Sequence, residues 1–203
     1  RLVEPANAAA HYRETLVELP CWPVLYDTPA ASPAPDRAAF GFGAHEHVYL
    51  CPQSLFKLHP DFDAMLAALL AADTRGVVVL IESRPAWRAR LEARFARSLG
   101  ERAARVRFVP SVRSEDFASL LAAADVVLDT PHFSGGYTSY ETLWAGTPFV
   151  TLRGAYMRGR VTAGLCDLLG LDHLVASDAD DYAARAVALA NDAALVDETR
   201  ARI

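Results

Sequence analysis

The chain has 203 residues, of which 52% are hydrophobic and 22% charged. This composition supports a buried core and excludes a largely disordered chain. Twenty basic and 25 acidic side chains give a net charge of −5, which has the wrong sign for covering a phosphate backbone, so we expect no nucleic-acid partner. No uncharged apolar run reaches the ~18 residues of a membrane span, and the N-terminus lacks a signal-peptide pattern. We therefore expect a soluble, cytoplasmic protein without a membrane partner.

The cysteines and histidines give no clear metal signal. Cys21, Cys51 and Cys166 are an odd number without a CxxC pair, which predicts free thiols rather than a disulfide framework or a structural zinc site. His45 and His47 are two residues apart and would share one face of a strand. Because no third ligand is evident, solvated residues at the start of a strand are favoured over a metal site.

Residues 1–39 differ in composition from the rest. Five prolines fall between positions 20 and 35, and they exclude long helices or a central strand there. We predict a connector, preceded by a short helix over Asn7–Leu19 that Asn7 caps and Pro20 ends. This start indicates the end of a missing N-terminal lobe, and residues 40–203 are predicted to form one domain.

From residue 45 onward, short apolar runs alternate with amphipathic stretches, as is typical of βα units around a buried parallel sheet. The predicted strands are His47–Cys51, Val77–Glu82, Val106–Val109, Val126–Asp129, Phe149–Leu152 and His173–Val175. The predicted helices are Pro60–Ala72, Pro85–Leu99, Ser114–Ala123, Thr138–Ala145, Arg160–Leu169 and Asp178–Asn191, followed by a last helix to the end. The fold class is a doubly wound α/β domain of Rossmann type. Ligands bind beyond the carboxyl ends of the strands in such sheets, so the functional residues are expected in the loops that follow the strands.

The turn after the fourth strand reads Gly135-Gly136-Tyr137-Thr138 and leads into a helix. Glycine lets the backbone approach a ligand closely, and a helix start presents free N–H groups, so the turn is a candidate anion site, most naturally for a diphosphate. The alternative is an ordinary glycine-rich turn with a threonine cap. Glu141, one turn further on, is placed to accept hydrogen bonds from a ribose or simply to complement the helix dipole.

The loop after the first strand holds Lys57, the only lysine beside 19 arginines. A compact ammonium on a flexible stem suits a phosphate contact, although chance would also explain a single lysine. Gln53 adds a side chain that both donates and accepts in the same loop. Further basic candidates near the presumed ligand are His132, for ligand contact or proton transfer, and the cluster Arg153, Arg158 and Arg160, for anion contact or a solvated helix start.

No GxSxG, HExxH, P-loop or GxGxxG motif is present, so the commonest hydrolase, zincin, nucleotide-hydrolase and dinucleotide-oxidoreductase functions are not indicated. No Asp-x-Asp pair is expected on the ligand side, and we therefore expect no metal or other cofactor.

Several stretches resemble one known family. They are Leu128-Asp129-Thr130-Pro131, Gly135, Thr138, the segment Leu143–Leu152 that reads LWAGTPFVTL, and Gly159-Arg160-Val161. Val48–Cys51 leading to Gln53 and Lys57, and Val106–Pro110, fit the same pattern. From about residue 12 to 203, the chain resembles the C-terminal catalytic lobe of the O-linked N-acetylglucosamine transferase and SPINDLY family, glycosyltransferase family 41.

The resemblance implies a GT-B fold, in which two Rossmann-like lobes close on a nucleotide sugar. It implies an inverting protein O-glycosyltransferase that uses UDP-GlcNAc to modify Ser or Thr hydroxyls of a protein acceptor, without a metal. The catalytic residues would lie in the missing N-terminal lobe, preceded by TPR helical repeats, so that this portion alone would be inactive.

The resemblance also implies roles for particular residues. Gln53 and Lys57 would contact the diphosphate. The turn Gly135, Gly136, Tyr137 and Thr138 would bind the phosphates, and Glu141 the ribose. The base contacts would come from Val112, Arg113 and Ser114.

The chain departs from the family pattern at several of these positions. Gly136-Tyr137-Thr138 stands where the family has His-Thr-Thr, and Glu141 stands for an aspartate. Ser114, Phe117 and Leu120 replace lysine, histidine and arginine. An alternative function is therefore a non-catalytic nucleotide-binding or protein-interaction module derived from such an enzyme. A third is another GT-B enzyme such as a sugar epimerase.

Overall fold

The structure is a computed structural model that describes residues 2–19, 21, 22, 24, 26 and 36–203. Its sheet consists of β1 (His47–Cys51), β2 (Gly76–Ile81), β3 (Val106–Val109), β4 (Val126–Leu128), β5 (Phe149–Leu152) and β6 (Val175–Ala176). All neighbouring strands pair in parallel, in the order β3-β2-β1-β4-β5-β6. This is the predicted Rossmann-like, doubly wound sheet.

The helices follow the strands in alternation. They are α1 (Asp61–Ala72), α2 (Pro85–Ser98), α3 (Ser114–Ala122), α4 (Tyr137–Trp144), α5 (Val161–Leu169), α6 (Ala179–Asn191) and α7 (Ala193–Arg202). Short 3₁₀ turns cover Ala8–His11, Ala38–Phe40, Leu55–Lys57, Gly100–Arg105, Met157–Gly159 and Asp172–Leu174. None of the helices in the described ranges is long and apolar enough to cross a membrane.

The central strands are continuous apolar runs because they are buried in the core. Every residue of β1 is buried, and the Val77–Leu80 run of β2 is buried as well, because helices cover both faces of the sheet. Cys51 and Cys166 are buried in this core, while Cys21 is exposed, and all three are free thiols as predicted.

The predicted helix over Asn7–Leu19 is wrong. Only the single turn Ala8–His11 is helical, and the Asn7 side chain makes no capping hydrogen bond. The following stretch leaves Leu16, Val17 and Leu19 exposed, so it has no buried apolar face to stabilise a short helix. The prolines of the predicted connector, Pro20 included, lie outside the described residues, and the division at residue 39 stays a prediction.

The predicted last strand is shifted. His173 belongs to a 3₁₀ turn, and the strand occupies only Val175–Ala176 beside β5. Its two residues form an edge strand too short for a period-two pattern to show.

Asp73 joins β1 to the end of α1 through a buried polar cluster. Its carboxylate accepts hydrogen bonds from the Tyr49 hydroxyl at 2.7 Å and lies 2.6 Å from His47 Nδ1. The expectation that His47 is a solvated residue is therefore wrong, because its imidazole is buried against Asp73. Burial by itself would raise the pKa of Asp73, but the hydrogen bonds from Tyr49 and His47 lower it overall.

Replacing Asp73 by alanine should lower the free energy of unfolding by about 2–4 kcal/mol, because two buried polar groups lose their shared acceptor. Chemical denaturation followed by circular dichroism measures this. Asp197→Ala removes an exposed carboxylate of α7 and should stay within about 0.5 kcal/mol of wild type. Equal losses in both variants would contradict the role of the cluster.

Candidate functional site

A cleft of about 330 Å³ opens beyond the carboxyl ends of β1 and β4. These neighbouring strands are the point where the strand order reverses direction, so their loops diverge and leave a crevice between them. The lining residues are Pro52, Gln53, Ser54, Lys57, Phe133, Ser134, Gly135, Gly136, Tyr137, Thr138, Arg158 and Val161. The volume lies at the lower end of the range of small-molecule sites, about 300–1,000 Å³.

Lys57 spans the two sides of this cleft. Its ammonium donates to Gln53 Oε1 at 2.8 Å in its own loop and to the Ser134 carbonyl at 3.1 Å in the loop after β4. It also lies 4.4 Å from the centre of the Phe133 ring. Burial lowers the pKa of Lys57, and the negative charge of Asp129 acts against this shift. Within the described residues, the ammonium forms no salt bridge, so a half-buried positive charge is left without a paired anion.

Gln53 continues the same network toward α4. Its side-chain amide donates to the Thr138 hydroxyl at 2.7 Å, while its oxygen accepts from Lys57. Both predicted members of the first loop therefore meet the predicted phosphate turn in one cleft.

Gly135 is required by the space around it. A Cβ atom there would overlap the Ser139 hydroxyl and come within 2.9 Å of both Gln53 Nε2 and Thr138 Oγ1. The turn therefore places its backbone against three polar side chains, which a larger residue would displace.

Asp129 fixes the position of the Gly135–Thr138 turn through a buried hydrogen bond. The buried carboxylate accepts from the Gly135 N–H at 2.7 Å and from the Thr151 hydroxyl at 2.7 Å. The Tyr182 hydroxyl donates to the Asp129 carbonyl at 2.7 Å. Burial raises the pKa of the Asp129 carboxyl, against hydrogen bonds from Thr151 and Gly135 that lower it.

The N-terminus of α4 faces the cleft. Gly136 occupies the capping position and no side chain caps the helix. The first amides of the helix have no partner within it, and Gly136, Tyr137 and Thr138 all line the cleft. Uncapped amides at the positive end of a helix favour an anion.

Glu141 lies one turn further along α4 but does not line the cleft. Its side chain is partly exposed, and burial raises its pKa to about 6. Because Glu141 follows Thr138 by three residues, the two share one face of the helix.

The three arginines after β5, predicted as one cluster, do not all reach the cleft. Arg158 lines the cleft, whereas Arg153 pairs with Asp167 at 3.0 Å and Arg160 donates to the Gly154 carbonyl at 2.9 Å. Only Arg158 is positioned to meet an anion there.

The predicted base-binding residues lie away from the cleft. Val112 and Arg113 precede α3 and follow the edge strand β3, and neither lines the cavity. The Arg113 guanidinium contacts Glu115 and Asp116, both acidic residues in the first turn of α3.

The expectation that no Asp-x-Asp pair lies on the ligand side overlooked Asp61-Phe62-Asp63. Asp61 begins α1 at this edge of the sheet, but Asp63 is buried and pairs with Arg94 at 2.9 Å. Neighbours two apart on a helix point in different directions, so the pair does not converge on one ligand.

Three groups that shape the site were not predicted from the sequence. Phe133 and Ser134 contact the ammonium of Lys57, and Asp129 fixes the glycine turn. Asp129 gave a usable signal, since an acidic residue ends an otherwise apolar strand. Phe133 and Ser134 gave none, because they act through a ring face and a backbone carbonyl.

A parallel sheet whose strand order reverses at a basic cleft, with an uncapped helix N-terminus beside that cleft, defines a Rossmann-like α/β domain. The sequence profile described as Glycosyl transferase family 41 matches residues 27–203. The chain belongs to this family.

Curated relatives agree. A probable UDP-N-acetylglucosamine–peptide N-acetylglucosaminyltransferase SEC of Arabidopsis thaliana is 28% identical over 196 residues, which is 93% of this chain and 20% of that protein. A probable SPINDLY enzyme of Eustoma exaltatum, of the same described class, is 28% identical over 98% of this chain and 22% of its own length. The chain thus spans about a fifth of these relatives.

Solved structures place the fold in the GT-B class. A mutant O-GlcNAc transferase of Thermobaculum terrenum superposes with a TM-score of 0.84 at 28% identity, covering all of this chain and 38% of that one. A trehalose-6-phosphate synthase, at 15% identity and a TM-score of 0.60 over 85% of this chain and 42% of its own, shows likeness of fold alone. The predicted family and fold class are confirmed.

Gly135→Ala should destabilise the protein by about 1–3 kcal/mol, because the added methyl group overpacks the contacts with Ser139, Gln53 and Thr138. Thermal denaturation measures the loss. Gly43→Ala is the matched control, since the three atoms nearest to its added Cβ all belong to the flexible Glu46 side chain, at 3.1 Å or more. An unchanged melting temperature for Gly135→Ala would contradict the close approach of Gly135 to Ser139, Gln53 and Thr138.

Proposed function

We propose that the cleft binds the diphosphate of a nucleotide sugar and that the chain is the donor-binding lobe of an inverting protein O-glycosyltransferase. The observation that carries this proposal is Lys57, a half-buried cation without an anionic partner among the described residues, set beside uncapped helix amides. A diphosphate supplies the missing negative charge. The relatives are described as probable UDP-N-acetylglucosamine–peptide N-acetylglucosaminyltransferases, and we extend this donor, and Ser or Thr hydroxyls as acceptors, to this chain.

The role of the site would be to stabilise the leaving group, the nucleoside diphosphate. In an inverting transfer, the acceptor hydroxyl oxygen forms a bond to the sugar C1 from the face opposite the leaving group. The C1–O bond to the diphosphate breaks, its electron pair goes to the diphosphate oxygen, and the hydroxyl proton passes to a base. Lys57 and the amides of Gly136 to Thr138 would stabilise the charge that develops on the diphosphate.

This leaving-group chemistry uses protein cations and needs no metal between carboxylates and phosphate. None of the described residues that line the cleft is acidic. Arg158, exposed at its rim, adds a second positive charge. Electrostatic stabilisation by preorganised donors is usually the largest contribution to such group transfer.

The remaining donor contacts belong to the same proposal. Glu141 would accept hydrogen bonds from the ribose, since it lies one turn beyond the phosphate amides. Val112 and Arg113 would lie nearer the base, at the end of β3. The ion pairs of Arg113 with Glu115 and Asp116 must then loosen for it to reach a ligand.

The acceptor side and the proton-accepting base would come from an N-terminal lobe, because this chain spans about a fifth of its relatives. We therefore propose that residues 40–203 bind donor and that transfer needs the longer chain, with its protein acceptor. Cytoplasmic location and the absence of nucleic-acid and membrane partners remain predictions from composition.

Calorimetric titration of the chain with UDP, GDP and their sugar conjugates tests the proposal. Saturable binding at micromolar strength, with one base preferred, is expected for a donor lobe. The departures at Ser114, Phe117 and Leu120 favour the second candidate, a non-catalytic interaction module. No heat with any nucleotide would support that module and overturn the donor lobe.

Lys57→Ala should weaken UDP binding about 10- to 100-fold, because the loss of one charge-assisted contact is worth about 1.5–3 kcal/mol. Lys57→Arg should recover only part of the affinity, since a planar fork does not reproduce the contacts of an ammonium. Isothermal calorimetry of the folded variants measures both.

Arg97→Ala is the matched control for charge alone. Arg97 is exposed on α2, away from the cleft, and its loss should change the dissociation constant less than about twofold. If Lys57→Ala binds UDP as tightly as the wild type, the Lys57 ammonium does not contact the diphosphate, and its proposed role is wrong.

The affinity for UDP should fall between pH 8 and pH 5 in part through Glu141. Its pKa of about 6 means that the carboxylate is charged above this pH and accepts ribose hydrogen bonds, whereas the protonated form below it accepts less well. Glu141→Gln should lower affinity at pH 8 and reduce the fall toward pH 5.

The phosphate of UDP also titrates in this range, but its contribution is common to both proteins. The difference between the wild-type and Glu141→Gln binding profiles, measured by calorimetry at five pH values, therefore isolates the carboxylate. Parallel profiles would show that Glu141 makes no contact with the ribose.

A further inference from the structure

Three ionisable side chains meet just outside the cleft. His132 Nε2 lies 2.7 Å from Asp61 Oδ2, and His59 Nδ1 lies 3.4 Å from the same oxygen. The two imidazole rings are 4.6 Å apart between centroids. None of the three side chains lines the cleft, so the proposed diphosphate site does not account for them.

Two separate segments supply the cluster. His59 and Asp61 flank Pro60 at the start of α1, and the Asp61 N–H donates to His59 Nδ1 at 3.2 Å. His132 comes from the loop after β4 and adopts a φ of 67°. A left-handed conformation is uncommon for a residue other than glycine, and here it belongs to the residue that contacts Asp61.

The donor set has a defined chemical preference. Two imidazoles and one carboxylate suit zinc and neighbouring transition metals, whereas magnesium and calcium prefer oxygen ligands only. One ligand atom from each residue can be chosen so that all lie within 4.8 Å of one another. Tetrahedral zinc with bonds of about 2.0–2.1 Å separates its ligands by about 3.3 Å, so small rotations of these side chains suffice.

The exposure of the cluster fits an open metal site. Each side chain is about half exposed, with 51% for His59, 59% for Asp61 and 49% for His132. A metal can therefore enter from solvent without unfolding, and three protein ligands leave one tetrahedral position for water.

We propose that His59, Asp61 and His132 form a binding site for zinc or a similar divalent transition metal, with water as the fourth ligand. The site is distinct from the leaving-group chemistry of the cleft. It would fasten the loop after β4 to the start of α1.

A metal at this site would affect the cleft, because the proposed ligand His132 is the chain neighbour of Phe133, which lines the cleft. His132 is followed by Phe133, whose ring lies against the Lys57 ammonium, and then by Ser134, whose carbonyl accepts from it. A metal on His132 would restrict the segment that positions Lys57. This consequence, unlike the metal site itself, rests on the proposed nucleotide function.

Calorimetric titration of the nucleotide-free protein with zinc chloride, in a buffer that does not chelate metals, tests the site directly. One equivalent should bind with a micromolar dissociation constant. His132→Ala and His59→Ala should each weaken this binding more than about tenfold. Magnesium chloride should give no saturable heat.

His45→Ala is the matched control, because His45 is an exposed histidine outside the cluster. Its zinc binding should equal that of wild type. The visible absorption bands of bound cobalt(II) give a second readout, since they report a tetrahedral site and should disappear in His132→Ala. Circular dichroism checks that each variant is folded.

Absence of saturable zinc binding in the wild-type chain would overturn the proposal, as would equal binding in wild type and His132→Ala. UDP titrations with and without one equivalent of zinc separate the two proposals. Zinc binding without any UDP binding would retain the metal site and reject the nucleotide function, whereas UDP binding without zinc binding would do the reverse.

Discussion

The hydrogen bond from the Gly135 N–H to the buried Asp129 carboxylate is the contact on which the site depends. It places the turn after β4 close enough to the first loop for Lys57 to reach the Ser134 carbonyl. Thr151 supports the same carboxylate from the next strand, so three adjacent strands contribute to one turn. Without this buried acceptor, the turn has no fixed distance from the ammonium.

Charge is distributed unevenly around that contact. The chain carries a net charge of −5, yet the lining of the cleft includes Lys57 and Arg158 and, among the described residues, no carboxylate. A small positive cleft in a negative protein favours a compact anion over an extended polyanion. The acidic Asp61 lies just beyond, held between two imidazoles, where a cation rather than a phosphate is the complementary ligand. The two sites thus differ in charge preference although one short loop serves both.

Sequence predictions were correct where a feature depends on residues close together in the chain, and wrong where it depends on a distant partner. The strand over His47–Cys51 was predicted residue for residue, because both faces of a central parallel strand are buried and the whole run must be apolar. The helix over Asn7–Leu19 failed, because a helix of that length needs a partner for its apolar face, and the sequence does not show whether one is available. His47 was misjudged for the same reason, since its acceptor, Asp73, lies 26 residues away.

By itself, the sequence determined the order of strands and helices along the chain, the candidate loop with Gln53 and Lys57, and the glycine turn that Gly135 begins. These are read from periodicity, from glycine and from a unique lysine, all of which are properties of short segments. The tertiary structure alone decided that Lys57 donates to the Ser134 carbonyl, that Arg158 reaches the cleft while Arg153 and Arg160 do not, and that His132 meets Asp61 across 71 residues of chain. Such contacts depend on which strands become neighbours, and hydrophobic burial fixes that only when the whole sheet forms.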